Sequence, residues 1–269
     1  SPDNLELFLN KHIKSINLII HLGAVTSTTE TDAKLIINNN INLSLFIWSW
    51  CVENKKRLIY ASSAATYGDG SNNFEDQEKN NYLSKLIPLN LYGWSKHLFD
   101  KFIVNQKKTP PQYVGLKFFN VYGPNEFHKS EMRSIVLKIF QKISKNHTVE
   151  LFKSHNPRYK DGEQMRDFIY VKDVINIIEW FVDKKDINGI FNVGTGKPRS
   201  FYDIACSVFK NSNIKNKIKF INTPKNIREQ YQYFTMANIK KLRKTGYKKK
   251  FFSLEDGIRD YIRNHLIVD

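Results

Sequence analysis

The chain of 269 residues has few cysteines and no long apolar segment. Cys51 and Cys206 lie far apart without metal-type spacing, which argues against a disulfide framework and predicts core thiols in a reducing compartment. No apolar run approaches the roughly 20 residues that a membrane-spanning helix needs, and the start of the chain has neither the basic flank nor the apolar core of a signal peptide. We therefore expect a cytoplasmic protein with no metal site and no membrane partner.

Acidic residues are scarce relative to basic ones, 26 against 42, and the formal net charge is +16. Clustered Lys and Arg side chains would indicate nucleic-acid binding, because they neutralise phosphates. The lysines are instead scattered, and the densest run, at residues 248–250, adjoins no recognition motif. We predict no nucleic-acid partner and expect the positive field to favour an anionic small substrate such as a nucleotide diphosphate.

Strand and helix patterns alternate through the first half of the chain. Apolar runs at residues 16–24, 57–62 and 113–118 are typical of buried parallel strands, and residues 33–53 and 92–104 predict helices. Hairpin signals are few. The pattern predicts a doubly wound parallel α/β sheet, whose ligands bind beyond the carboxyl ends of the strands.

The pattern becomes less regular after about residue 123, and no linker rich in Gly, Pro or Ser divides the chain. A polar loop is predicted at residues 154–164. The other elements predicted in this half are helices at residues 132–143, 238–244 and 254–265 and strands at residues 149–152, 166–171, 190–194 and 218–221.

The most informative segment places Tyr92 four residues before Lys96 and follows a serine-rich strand end that contains Ser63. On a helix this spacing puts both side chains on one face, where an ammonium can lower the pKa of a phenol. A tyrosine normally titrates near about 10, so it needs such a charge to act as a base at neutral pH. The simpler interpretations are a half-buried helix tyrosine and a serine that caps the strand end. Chance often produces the Tyr-Lys spacing, and the upstream Ser-Ser-Ala-Ala-Thr-Tyr-Gly segment is what favours catalysis.

This combination resembles the extended branch of the short-chain dehydrogenase/reductase superfamily, whose members act on nucleotide sugars. The resemblance implies a Rossmann-type sheet with a smaller interleaved C-terminal substrate-binding lobe, bound NADP with NAD as the alternative, a nucleotide-sugar substrate and a homo-oligomer. It assigns the dinucleotide domain to residues 1–123 with part of 166–200, and the lobe to residues 124–165 and 200–269. Further segments that carry the resemblance lie at residues 21–30, 88–93, 119–129, 161–168 and 231–235.

The chain lacks the glycine-rich turn with which such sheets begin and whose helix N-terminus holds the pyrophosphate. Its first predicted elements are a helix at residues 5–12 and the strand at residues 16–24. Our hypothesis is that the chain is N-terminally incomplete by roughly fifty residues, which would leave that strand as an uncovered edge of a sheet lacking its first strands. An in-frame stop codon immediately upstream of the coding sequence would contradict it.

Within the branch, the segments most resemble epimerases of an ADP-linked heptose that serves lipopolysaccharide inner-core synthesis. The Ser-Thr-Thr-Glu run at residues 27–30 and the His-Lys pair that ends at Lys129 are the distinguishing features. The resemblance implies that Tyr92 and Lys129 are two bases that serve opposite faces of the sugar, so that C6″ is inverted through a transient ketone. Ser63 would hydrogen-bond the reacting oxygen, and Lys96 would bind the nicotinamide ribose and lower the pKa of Tyr92.

The resemblance also implies two sets of contact residues. Small residues such as Gly23 would let the backbone approach the dinucleotide, and the planar fork of Arg166 suits a diphosphate, with a local ion pair to Asp167 as the alternative. The cofactor set is Leu22, Gly23, Ala24, Val25, Thr26, Asn39, Lys96, Val121 and Lys129. The substrate set is Asn120, Phe152, Lys153, Ser154, His155, Arg166 and Tyr231.

Two departures from the family pattern and two alternatives stay open. Glu131 stands where many relatives carry a substrate-binding serine, and the loop at residues 156–164 is longer than in some relatives. The first alternative is another extended-branch enzyme such as a 4-epimerase or a dehydratase; the residues after Ser63 lack the acidic pair typical of dehydratases. The second is a non-catalytic binding relative, against which the intact Ser63, Tyr92 and Lys96 argue.

Overall fold

Two units of structure are apparent in the computed structural model, which describes residues 4–224, 228 and 232–267. The first unit contains Ser1–Phe118, Ile178–Asn192 and Lys240–Gly246. The second unit contains Phe119–Ile177, Val193–Ile239 and Tyr247–Asp269. Each unit therefore takes residues from three separate parts of the chain.

The helices and strands of the described residues are numbered here in chain order. The α-helices are α1 (Leu5–Lys11), α2 (Ala33–Ile36), α3 (Leu43–Glu53), α4 (Asn80–Leu83), α5 (Leu91–Val104), α6 (Ile135–Asn146), α7 (Val171–Asp183), α8 (Phe201–Asn211), α9 (Lys240–Lys244) and α10 (Leu254–Tyr261). The strands are β1 (Leu18–His21), β2 (Arg57–Ser63), β3 (Tyr113–Phe118), β4 (Asn120–Tyr122), β5 (Val149–Phe152), β6 (Met165–Arg166), β7 (Phe168–Tyr170), β8 (Gly189–Val193), β9 (Arg199–Ser200) and β10 (Ile218–Ile221).

A four-stranded sheet in the order β1-β2-β3-β8 organises the first unit. β1 runs parallel to β2, and β2 runs parallel to β3 with Ser63 opposite Phe118. The predicted parallel α/β sheet is thus confirmed. Parallel strands end at the same edge, so the carboxyl ends of β1 and β2 bring His21 and Ser63 to one side of the sheet.

Aromatic side chains pack α3 and α5 onto this sheet. Trp48 of α3 lies edge-on to Tyr113 with ring centroids 5.4 Å apart, and Phe99 of α5 lies edge-on to Tyr60 at 5.0 Å. Cys51 is buried among the same apolar residues. Such contacts hold both helices in fixed positions on the sheet, which is what places polar side chains at its edge.

The predicted helix at residues 33–53 is continuous but contains a π-helical turn, Ile37–Asn42, between α2 and α3. Asp32 begins it by accepting a hydrogen bond from the Leu35 amide. π-Turns change which residues face the interior of a helix and are common at functional sites. Here the turn contains Asn40, which is buried.

The second unit contains three two-stranded sheets: β4 parallel to β7, β5 parallel to β10, and β6 antiparallel to β9. Its apolar core is formed mainly by α6, α8 and α10 together with β4, β5 and β7. The strand predicted at residues 166–171 is instead divided into β6 and β7. The backbone amide of the residue between them, Asp167, donates to the Thr235 hydroxyl at 3.1 Å rather than to a strand, and its carboxylate accepts from the amides of Thr195, Gly196 and Ala237.

Helix α6 begins three residues later than predicted, because Ser134 caps it by accepting a hydrogen bond from the Leu137 amide at 3.3 Å. No helix among the described residues has the length and apolar character needed to cross a bilayer. The same residues hold no group of His, Cys, Asp or Glu side chains arranged for a metal ion.

Gly257 in α10 packs directly against the Tyr122 hydroxyl, which occupies the position that a Cβ would take. Glycine to alanine in an exposed helix stabilises by about 1 kcal/mol. We expect the reverse here, a loss of about 1–3 kcal/mol in the free energy of unfolding of Gly257→Ala, because the tyrosine ring is buried and rigid. Urea unfolding measures it. Adding Tyr122→Phe, which removes the clashing oxygen, should recover part of the loss; a Gly257→Ala protein as stable as the parent would contradict the expectation.

Candidate active site

Ser63 is the last residue of β2 and begins the 3₁₀ turn Ala64–Tyr67. Its hydroxyl oxygen accepts a hydrogen bond from the Ala65 amide at 3.1 Å. The capping interpretation of this serine is therefore correct. It does not compete with a catalytic role, since the hydroxyl proton remains available to donate to a neighbouring oxygen.

Tyr92 reaches Ser63 because α5 approaches this turn very closely. Asn90 caps α5 by accepting a hydrogen bond from the Gly93 amide at 2.8 Å. A Cβ on Gly93 would lie 2.8 Å from the Ala65 carbonyl oxygen and 3.0 Å from Pro88, so only glycine permits this approach. The first turn of α5 then brings Tyr92 close enough to Ser63 for the serine to affect the pKa of its phenol.

The pKa of Tyr92 is raised above its ordinary value of 10 because burial disfavours the phenolate, and the neighbouring Ser63 hydroxyl lowers it only in part. The expected lowering by Lys96 is not found. The hydroxyl interacts with Ser63 rather than with the ammonium. Tyr92 is therefore protonated at neutral pH in this structure.

Lys96, one turn further along α5, is only 4% exposed. Burial lowers the pKa of its ammonium to about 8, and the negative charge of Asp100 on the next turn raises it in part. Its ammonium makes no hydrogen bond or ion pair with any residue that the structure describes. A poorly solvated cation is costly, so this group is suited to a ligand that supplies acceptor oxygens.

Asn40 is a site residue that the sequence-based prediction missed. Its side-chain oxygen accepts from the Val25 amide at 2.8 Å, and its side-chain nitrogen donates to the Val25 carbonyl at 2.9 Å and to the Ser95 hydroxyl at 3.0 Å. Ser95 in turn donates to the Tyr92 carbonyl at 2.7 Å. Asn40 thus ties the loop after β1 to α5. The available signal was three consecutive asparagines in an otherwise apolar helix.

The predicted contact Asn39 has a different environment from Asn40, because consecutive residues of a helix point in different directions. Asn39 is half-buried and donates to the Leu35 carbonyl at 2.9 Å. Its assignment to the cofactor set stays a prediction.

The loop at residues 22–26, which follows β1, carries most of the predicted cofactor set. Leu22, Gly23 and Thr26 are exposed, while Ala24 and Val25 are half-buried. A Cβ on Gly23 would meet no atom within 4 Å, so nothing in the described chain accounts for a glycine there. The open space above Gly23 suits close approach of a ligand to the backbone.

His21 at the end of β1 also contributes to the electrostatics of this edge. Its Nε2 lies 3.1 Å from the Ser44 hydroxyl. Burial, and then the charge of Lys96, lowers the pKa of the imidazole to about 4. His21 is therefore neutral at physiological pH and adds no second positive charge beside Lys96.

Lys129 lies in the second unit, exposed on the 3₁₀ turn Phe127–Met132. The buried Glu126 anchors this turn by accepting from the Ser134 hydroxyl at 2.6 Å and from the Tyr261 hydroxyl at 3.0 Å. Glu131 is 91% exposed and lies 3.5 Å from the Lys138 ammonium. That cation partly offsets the carboxylate that departs from the family pattern.

The predicted substrate contacts that the structure describes also lie in the second unit. Asn120 is exposed at the start of β4, with the half-buried Val121 of the cofactor set beside it. The Arg166 guanidinium lies 5.8 Å from the Phe201 ring and donates to the Met165 carbonyl at 2.9 Å. Tyr231 lies outside the described residues.

The segment at residues 152–155 is held by backbone hydrogen bonds to other loops of the second unit. The Lys153 backbone carbonyl accepts from the Thr223 hydroxyl at 3.0 Å, and the Ser154 amide donates to the Asp161 carboxylate at 2.8 Å. The His155 amide donates to the Tyr233 hydroxyl at 2.7 Å. Phe152 ends β5, so this segment leaves a strand and turns at once into a fixed loop.

Ser63, Tyr92 and Lys96 therefore form one cluster in the first unit, with the loop at residues 22–26 tied to the same helix. Residues 2–194 match the family described as the NAD dependent epimerase/dehydratase family. Because this match covers more than half of the chain, the protein belongs to that family.

Within the family, the chain is similar to enzymes of one name. The chain is 46% identical over 272 aligned positions to the ADP-L-glycero-D-manno-heptose-6-epimerase of Fusobacterium nucleatum subsp. nucleatum, covering 98% of this chain and 82% of that protein. It is 43% identical to the enzyme of the same name from Nitratidesulfovibrio vulgaris, over 93% of this chain and 77% of that protein. The crystal structure of the Helicobacter pylori ADP-L-glycero-D-manno-heptose-6-epimerase superposes with a TM-score of 0.77 at 29% identity, covering 97% of this chain and 76% of that chain. The resemblance stated from the sequence is confirmed.

Lys96 should titrate near pH 8, because its pKa is about 8 in the folded chain. In a ¹³C NMR titration of protein labelled at the lysine ε-carbons, we expect one resonance with this midpoint that is absent from Lys96→Met. Lys101→Met, on the same helix, is the control and should retain it. The folded protein releases this proton before the unfolded chain does, so the cost of burying the charge should decline as the pH rises from about 8 to about 10. A protein with no lysine midpoint below about 9 would contradict the assignment.

Proposed function

We propose that the protein is an epimerase that inverts C6″ of ADP-D-glycero-D-manno-heptose through a transient ketone, in the synthesis of the lipopolysaccharide inner-core precursor. The observation that carries this proposal is the cluster of Ser63, Tyr92 and Lys96 at the carboxyl end of β2, in a chain 46% identical to a heptose epimerase. The cluster supplies groups that move and hold protons, and the identity supports the sugar on which they act.

A nicotinamide dinucleotide fits the residues present in the first unit. The poorly solvated Lys96 ammonium suits ribose hydroxyl groups, and the open space above Gly23 suits a ligand held against the backbone. The bound dinucleotide supplies reversible hydride transfer with C6″. We propose NADP rather than NAD from the family alone.

Tyr92 and Ser63 act on the oxygen at C6″. Because Tyr92 is protonated at neutral pH, its hydroxyl can donate a proton to the ketone oxygen in the reductive half of the reaction. Ser63 donates a hydrogen bond from its hydroxyl to the same oxygen, because the bond from the Ala65 amide uses only an acceptor position of that hydroxyl. The oxidative half needs Tyr92 as the phenolate, which accepts the hydroxyl proton and becomes the phenol. The resemblance assigns to Lys96, one turn away on the same helix, the role of favouring that phenolate, and we propose that it does so once the ligands are bound.

Lys129 is proposed as the second base, because inversion requires a proton carrier on each face of the sugar. It stands on a turn whose ends are held by Glu126, so its backbone is well fixed while its side chain is free to reach a substrate. Asn120, Arg166 and the segment at residues 152–155 are proposed for the ADP-sugar, together with Tyr231. The second unit thereby carries the substrate contacts, and the first unit carries most of the cofactor contacts. A cytoplasmic homo-oligomer is proposed from the family alone.

Tyr92→Phe should reduce inversion of ADP-D-glycero-D-manno-heptose, followed by NMR at C6″, by about 100-fold or more, because the substitution removes the proton carrier. Tyr202→Phe is the control. Tyr202 is an exposed residue of α8, so this variant should have normal activity. Failure of the unmodified protein to invert this sugar, despite a bound nicotinamide dinucleotide, would point to another nucleotide sugar. Failure to bind any such dinucleotide would instead favour a non-catalytic relative.

Lys129→Ala should also reduce inversion by about 100-fold, because one face of the ketone would lose its proton carrier. Lys145→Ala, which removes an exposed cation of α6, is the matched control and should invert the sugar at the normal rate. Full activity of Lys129→Ala would contradict the two-base mechanism. It would favour chemistry in which a single base suffices, as in the 4-epimerase alternative.

A further inference from the structure

A fully buried ion pair joins the helix that carries Tyr92 to the strand next to Ser63. The Lys117 ammonium of β3 lies 2.6 Å from the Asp100 carboxylate of α5, and the two side chains are 1% and 0% exposed. Asp100 follows Lys96 by four residues, so Tyr92, Lys96 and Asp100 share one face of α5. The ion pair therefore lies one helical turn beyond Lys96, on the face of α5 that carries the candidate site.

Every polar atom of the Asp100 carboxylate has a partner on β2 or β3. One oxygen accepts from the Tyr60 hydroxyl at 3.0 Å. The other accepts from the Ser62 hydroxyl at 2.7 Å and from Lys117. Lys117 also lies 5.0 Å from the centre of the Tyr67 ring. These contacts bind α5 to the end of the sheet with specific geometry.

Thr66 connects this ion pair to Ser63. Its hydroxyl accepts from the Lys117 ammonium at 2.7 Å and donates to the Ser63 carbonyl at 2.8 Å. Thr66 is fully buried. A continuous path of hydrogen bonds thus runs from Asp100 on α5, through Lys117 and Thr66, to the backbone of the catalytic serine.

Stability alone does not account for such a network. Removing two charges from water is costly, and apolar residues of similar volume often give an equally stable or a more stable core. What apolar residues cannot do is fix the direction of a backbone carbonyl and the distance between two elements through short, directional bonds.

We propose that Thr66, Lys117 and Asp100 are positioning residues that set the location of Ser63 relative to Tyr92 and Lys96. None of the three side chains needs to contact a ligand to do so. The expected effect on catalysis rests on the proposed function, whereas the effect on the geometry of the turn Ala64–Tyr67 does not.

Thr66→Val and Thr66→Ser form the decisive pair of variants. Valine keeps the shape of threonine but removes the hydroxyl, so the Ser63 carbonyl loses its donor and Lys117 loses an acceptor. Serine keeps the hydroxyl and loses only a methyl group. Thr66→Ala with Thr66→Ser is a second pair for use if the valine variant folds poorly, because these two differ only in the hydroxyl.

We expect kcat of Thr66→Val for the proposed inversion to decrease by about 10- to 100-fold while KM changes by less than about twofold, because misplacement by about 1 Å affects the reacting geometry more than binding. Thr66→Ser should keep nearly normal kcat. In the protein without ligands, amide hydrogen exchange at Ala65 and Gly68 should be faster in Thr66→Val and unchanged in Thr66→Ser. The Ala65 amide is bonded to the Ser63 hydroxyl and the Gly68 amide to the Ala65 carbonyl, so both report on the turn.

The proposal would be overturned if Thr66→Ser had the same kcat and the same amide exchange as Thr66→Val or Thr66→Ala. It would also be overturned if the loss of kcat in all of these variants followed the decrease in melting temperature. If the unmodified protein does not invert the sugar but exchange still separates Thr66→Val from Thr66→Ser, the proposed function fails and the positioning role stands. If the protein inverts the sugar and Thr66→Val matches it in both measurements, the positioning role fails and the proposed function stands.

Discussion

The close approach of α5 to the turn after β2 is the contact on which the candidate site depends. It requires the absence of a side chain at Gly93, because the Ala65 carbonyl and Pro88 lie where a Cβ would be. The approach brings Tyr92 to Ser63 and places Lys96 in the interior. Phe99 and its aromatic neighbours hold the far end of the helix on the sheet, so packing along the whole helix maintains the geometry at its first turn.

Burial at this edge of the sheet affects acids and bases in opposite directions but always favours their neutral forms. It raises the pKa of Tyr92 and lowers the pKa values of Lys96 and His21. Lys96, with a pKa of about 8, stays mostly protonated at neutral pH, whereas His21 does not titrate there. The site thus combines a protonated phenol with a single poorly solvated ammonium that is sensitive to the charge of whatever binds beside it. The Asp100 carboxylate, which forms an ion pair with Lys117, raises the pKa of the Lys96 ammonium in part.

Elements with strong local signals were predicted closely from the sequence. The strands at residues 113–118, 149–152 and 218–221 have the predicted bounds, and α5 begins one residue before its prediction. Apolar periodicity and a capping residue such as Asn90 are contained in a short stretch of chain, which makes them readable. The division between β6 and β7 was not predicted, because it depends on hydrogen-bond partners that Asp167 finds about 30 and 70 residues away in the sequence.

The sequence by itself determined the parallel α/β class and indicated the side chains of the candidate site, since Tyr92 and Lys96 are four residues apart on one helix and Ser63 ends the preceding strand. Only the tertiary structure decided what surrounds them. The direction of the Tyr92 pKa shift depends on burial, which no local pattern records. The contacts by which Asn40 ties the loop after β1 to α5 depend on partners outside its own helix, Val25 and Ser95. The network from Asp100 to Ser63 joins residues that are distant in sequence, and it exists only because the fold brings them together and excludes water from the space between them.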